Sequence, residues 1–138
     1  MAKVWDANQL SVVFGGFPIS GFAEDTGLEI ERENPQYTTK TDIHGNVSRS
    51  RVNKDMTKIT VTLMRGSYSN NILSNFVEMD RLKNSGVFPI LITESNGTTL
   101  FACTNAFILH SPKTGYGTEE KNVEWIIQAS GVTHYIGN

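Results

Sequence analysis

From Lys58 to Leu63 polar and apolar residues alternate without a break, with Lys58, Thr60 and Thr62 on one side and Ile59, Val61 and Leu63 on the other. A period of two matches the pleat of a β-strand, whose successive side chains point to opposite faces; a helix would scatter the same residues around its axis. The pattern demands a sheet with one buried and one solvated surface. It returns near the C-terminal end, where Val123, Trp125, Ile127 and Ala129 point inward and Asn122, Glu124, Gln128 and Ser130 outward. Leu28 and Ile30 alternate with Glu29, Glu31 and Glu33, which predicts a strand with a strongly acidic outer face. Leu10, Val12 and Phe14 form another, and Gly15-Gly16 before Phe17-Pro18-Ile19 has the composition of a tight hairpin turn. Phe88–Thr93 and Thr99–Leu109 follow, joined through Asn96-Gly97, a second hairpin signal. Thr99–Leu109 is apolar on both faces, as expected of a central strand or one covered by a neighbouring chain.

One segment carries the other period. Ile72, Leu73, Phe76, Val77, Met79 and Leu82 recur at spacings of three and four, which predicts a helix around 70–84 with one apolar stripe. Ser69-Asn70-Asn71 offers capping oxygens for its first turn, and Gly86 a stop beyond its last. The chain reads as mainly β, a sandwich or barrel-like fold of about seven or eight strands with one flanking helix. Its 138 residues fit one domain, 1–138, since domains most often run about 100–150 residues. No internal repeat divides it.

Residues 35–54 depart from the alternation. A threonine-rich arm, the His44-Gly45-Asn46 tip and a Val/Ser/Arg return arm predict a long hairpin around 36–53, yet neither arm has a continuous apolar face. An isolated two-stranded hairpin is marginal in water, so this one either completes its bonding on another subunit or remains a solvated loop. Lys40, Arg49, Arg51 and Lys54 could also grip phosphates, but a single-strand binder needs stacking aromatics and only Tyr37 is present. The acidic residues Glu29, Glu31 and Glu33 oppose phosphate binding; they could complement those cations on an adjacent chain or line a channel past which phosphates slide.

Composition excludes little chemistry, but residue placement excludes much of it. Twelve Lys and Arg against fourteen Asp and Glu leave a net charge of −2, without the basic excess usual in nucleic-acid binders. His44, His110 and His134 have no metal-ligand spacing, and the single cysteine, Cys103, sits in an apolar run where a buried thiol is the usual outcome. One cysteine suits folding in a reducing cytoplasm. No nucleophile elbow or phosphate loop occurs, and the pairs Glu24/Asp25 and Glu119/Glu120 read as solvated acids. Trp5 and Trp125 read as core or interface anchors, and the segment through Trp5 as a second arm. No secretory signal and no membrane anchor is expected, since no run approaches the roughly 20 apolar residues that cross a bilayer. No enzyme activity, cofactor or metal is expected.

The succession of these pieces resembles the tail-tube proteins of contractile-tailed bacteriophages, related to the tubes of type VI secretion and phage-derived injection machines. The residues that carry the resemblance are Val12–Ala23 with its Phe14-Gly15-Gly16-Phe17 centre, Leu28–Arg32, the Asp42–Arg51 hairpin, Ile59–Leu63, Ser67–Asn71 at the helix start and the closing strand around Trp125. The resemblance implies a structural subunit that self-assembles into stacked, hexameric rings, forming the hollow inner tube of a tail and a conduit for DNA. It implies partners in the chain itself and in tail sheath, baseplate and tape-measure proteins, with DNA only in transit. It places the protein in the virion tail after synthesis in the bacterial host cytoplasm. It makes the hairpin the arm that reaches an adjacent subunit, with Tyr37, Ile43, His44, Gly45, Asn46, Val47, Arg49 and Arg51 expected at the contact; Glu29, Glu31 and Glu33 are a candidate channel-lining face. Two alternatives stay open: a baseplate or tail-completion ring protein of the same fold, and a small β-barrel that binds nucleic acid.

Overall fold

The computed structural model describes residues 10–24, 27–94, 100–115, 117 and 121–136. The expected segments through Trp5 and Asn96-Gly97, and the acids Asp25, Glu119 and Glu120, lie outside the described residues.

Seven strands form one antiparallel sheet in the order β2-β1-β7-β8-β9-β6-β3: β1 (Leu10–Phe14), β2 (Phe17–Pro18), β3 (Leu28–Arg32), β6 (Thr57–Leu63), β7 (Phe88–Glu94), β8 (Leu100–His110) and β9 (Val123–Tyr135). Two more, β4 (Tyr37–Thr41) and β5 (Val47–Arg51), make a separate two-stranded sheet, and α1 (Ser69–Lys83) joins β6 to β7. The fold is mainly β and sandwich-like with one helix, as expected. Nine strands are present among the described residues, against the seven or eight expected, and Phe17–Pro18 pairs with β1 in the hairpin read from Gly15-Gly16.

The alternations fall as read. In β6 Ile59, Val61 and Leu63 are fully buried, and in β9 Val123, Trp125, Ile127 and Ala129 face the same core. Val12, Phe14, Phe88, Ile90, Ile92, Phe101 and Leu73 complete it, with Phe76 stacked on Phe88 at 4.3 Å between ring centroids. Strand β8 is central, between β7 and β9, with Phe101, Cys103 and Ala106 buried; that burial pushes the Cys103 thiol pKa up. Gly15 and Gly16 have φ of 59° and 88°, the signature of a type I′ turn between the paired Phe14 and Phe17. Midway along β8 and β9 the burial alternation breaks at Thr104 and Gly131, where Gly131 takes φ 66° with Thr104 packed against it.

The helix ends differ from expectation. Ser67 Oγ accepts the Ser69 N–H at 3.2 Å, while Ser69 Oγ accepts the Ser20 N–H at 2.9 Å instead of capping. Asn70 donates to the Met64 and Arg65 carbonyls at 3.0 and 3.1 Å and accepts the Trp125 indole N–H at 3.0 Å, so tertiary partners outcompete the local cap. The helix stops at Asn84, in the left-handed region at φ 53°, and not at Gly86, which packs tightly against Phe76 and Asp80.

Because every strand pair is antiparallel, the strand ends sort to two poles. One pole collects the ends of β1 and β6, the starts of β2, β3, β7 and β9, and hence both ends of α1. The chain between the end of β3 and the start of β6, which is the β4–β5 hairpin, leaves from the opposite pole.

Candidate assembly interface

Every residue of β4 and β5 is exposed, as is the connecting tip. Cross-strand partners share a face, so the pairs Tyr37–Arg51, Thr39–Arg49 and Thr41–Val47 lie on one side and Thr38–Ser50 and Lys40–Ser48 on the other. Of the eight residues expected at the contact, Tyr37, Val47, Arg49 and Arg51 are brought onto a single face. The Arg49 guanidinium lies 4.4 Å from the Tyr37 ring centroid, which holds that face in order.

Ile43, His44, Gly45 and Asn46 make the tip, built around a residue that sequence reasoning passed over. The Asp42 carboxylate accepts the His44 and Asn46 backbone N–H groups at 2.8 and 2.9 Å and the Asn46 side-chain amide at 2.9 Å. Gly45, at φ 83°, donates to the Asp42 carbonyl. Bonds from Asn46 above all, then from His44 and Gly45, hold the Asp42 pKa below the usual carboxylate value. The signal was available, since an Asp opening a turn that ends in Gly-Asn is a side-chain-capped loop. This arrangement leaves Ile43 95% exposed and Val47 69% exposed.

At the hairpin base Arg32 pairs with Asp55 at 3.5 Å, a half-solvated bridge. Glu29 and Glu31 are exposed on β3. Glu33 lies just past the strand, and its carboxylate accepts the Gln128 amide of β9 at 3.0 Å, folding over the outer face of β6. The three acids therefore share one surface, with Lys58 opposite Glu31. Strand β3 is also a sheet edge. The Thr62-to-Gly27 and Glu33-to-Met56 backbone bonds set the phase of its ladder, so Leu28, Ile30 and Arg32 direct their N–H and C=O groups to the open side.

Part of the helix stripe was misassigned. Leu73 is buried and Ile72, Phe76 and Val77 are half-buried, but Met79 and Leu82 are exposed, Leu82 by 77%. With Phe17 of β2 and Tyr68, itself 75% exposed, they form an open apolar groove along α1. The doublets Ile72-Leu73 and Phe76-Val77 signal it, because one core-facing stripe needs only one residue of each.

Among the described residues no group of three His, Cys, Asp or Glu could hold a metal ion, and no helix is long and apolar enough to cross a membrane. His44, His110 and His134 sit at the hairpin tip, the end of β8 and the far end of β9. Trp125 is a core residue, as expected.

The same fold occurs among solved chains of contractile injection systems. The chain superposes on the sheath/tube terminator of the extracellular contractile injection system PVC in its extended state, with a TM-score of 0.66 at 20% identity over 98% of this chain and 99% of that one. It also superposes on a chain of the PVC sheath-tube complex (TM-score 0.62, 18% identity, 94% and 90% covered) and on one from a native gene transfer agent virion (0.65, 11%, 96% and 100%). In sequence it is similar to structural protein ORF10 of Pseudomonas phage KPP10, 26% identical over 141 residues, covering 94% of this chain and 80% of that protein. Residues 12–137 match the family described as Bacteriophage PhiTE tail tube protein, and the chain belongs to that family. It is a structural component of a phage tail.

Proposed function

We propose that the chain is a non-enzymatic, one-domain subunit that assembles into stacked, hexameric rings to form the hollow inner tube of a phage tail. The hairpin is the arm that binds a neighbouring copy, and the tube is the conduit for DNA. The observation that carries this reading is the isolation of β4–β5: ten exposed strand residues in a sheet of their own, with Tyr37, Val47, Arg49 and Arg51 on one face. Such a hairpin is marginal alone and gains stability when a second molecule covers it. The open edge of β3 supports ring formation, since unpaired N–H and C=O groups template pairing with another strand. The acids Glu29, Glu31 and Glu33, on one outer surface, suit the wall of a bore, where carboxylates repel passing phosphates. Sheath, baseplate and tape-measure proteins are the further partners, in a virion tail assembled in the bacterial cytoplasm.

A tail-completion or terminating ring is the second reading, favoured by the superposition on a tube terminator over nearly the full length of both chains. Deleting residues 38–51 is expected to leave a folded protomer that no longer polymerises, followed by circular dichroism and negative-stain electron microscopy. Tubes formed by the deletion variant would refute the arm. Discrete rings at every concentration of the full chain would assign the second reading.

A further inference from the structure

The hairpin and the α1 groove both expose apolar side chains, and the chain attaches them to opposite poles of the sheet. The hairpin leaves the pole where β3 ends and β6 begins, whereas α1 is anchored at both ends to the other pole. Ile43 and Val47 sit at the hairpin's far end, roughly 17 Å from its base for strands of this length. The groove is lined by Phe17, Tyr68, Ile72, Phe76, Met79 and Leu82, with Glu78 and Lys83 of opposite charge at its margin.

We infer that the groove along α1 is the receptor for the hairpin tip of a second copy, with Ile43 and Val47 seated against Tyr68, Met79 and Leu82. This rests on the hairpin being an assembly arm and names its docking partner. A donor at one pole and an acceptor at the other make a heterologous contact, which joins copies head to tail along the pole-to-pole axis and so stacks them. The chemistry of the two surfaces agrees. The tip presents two aliphatic side chains with no cation between them, and the groove is electrically balanced; the arginines lie further back on the hairpin face. One such contact is small, but when each copy in a ring donates one hairpin and accepts another the contacts act together, and affinity rises far beyond that of a single site.

Two variants test the proposal. Leu82→Arg alters a side chain that is mostly solvated in the protomer, so it leaves the fold intact and is expected to raise the concentration needed for tube growth at least tenfold, read by light scattering and electron microscopy. In the second, Ile43→Cys and Leu82→Cys are combined, with Cys103 buried in both copies. Oxidised tubes are expected to give a ladder of disulfide-linked multimers on a non-reducing gel, which neither single variant gives. Normal tube growth by Leu82→Arg, or tubes of the double variant without a ladder, would overturn the groove assignment; loss of sheath binding alone would give the groove to the sheath and overturn it equally. The 38–51 deletion separates the two levels: if it abolishes tubes while Leu82→Arg grows them normally, the arm stands and only its receptor is wrong.

Discussion

Strand β6 and the hairpin strand β4 are close in the chain and alike in carrying three threonines and one lysine, yet β6 on one side and β4 with its partner β5 on the other meet opposite fates. In β6 every second residue is fully buried; in β4 and β5 all are exposed. The difference lies in three side chains. Ile59, Val61 and Leu63 each contribute about 1.5–3 kcal/mol when removed from water, and the hairpin has no comparable set on a continuous face. What orders the hairpin is local: the ladder between its arms, the Asp42-capped tip and the Arg49–Tyr37 stack. Threonine-rich alternation is thus compatible with a core strand or an assembly arm, and the apolar partner of each threonine decides which.

That contrast can be broken most severely from the core side. Phe88→Ala empties a site packed between Phe14 and Phe76 and is expected to cost about 3–5 kcal/mol of unfolding free energy, measured by urea denaturation. An equal loss from truncating Tyr37 would make the hairpin part of the folding unit and erase the distinction. A smaller effect of opposite sign is expected within β6 itself. The Thr57 hydroxyl is fully buried and has no hydrogen-bond partner among the described residues, so Thr57→Val removes an unpaired polar group at constant shape and should stabilise by about 1 kcal/mol.

The smallest effect sits at the hairpin tip. Asp42 has a lowered pKa in the folded chain, so its contribution to tip order is complete above the ordinary carboxylate pKa of about 3.9 and is lost as pH falls through the lower folded value. The His44 and Asn46 amide resonances should shift together over that acidic window while those of β6 stay still. In Asp42→Asn the same amides should show no titration there. A transition near neutral pH would contradict the tip geometry.

Much of this was legible in the residues. The period of two in 58–63 and 123–129, the Gly15-Gly16 turn and the helical spacing of 72–82 each located an element. The exposed hairpin followed from the absence of any apolar face between Pro35 and Lys54. Other features escaped because their partners are remote. Asn70 reads as a cap until Trp125, on the other side of the core, offers its indole N–H. Met79 and Leu82 read as core until α1 packs on the sheet through Leu73 and leaves its other side open.

Local sequence therefore determined which face of each strand is buried and which segment stands apart, because side-chain direction along a strand or helix depends only on neighbouring residues. Tertiary structure alone decided that the arm and the apolar groove lie at opposite ends of the molecule. That placement depends on the order in which distant strands pair and on the single antiparallel direction they share, which no window of the chain contains.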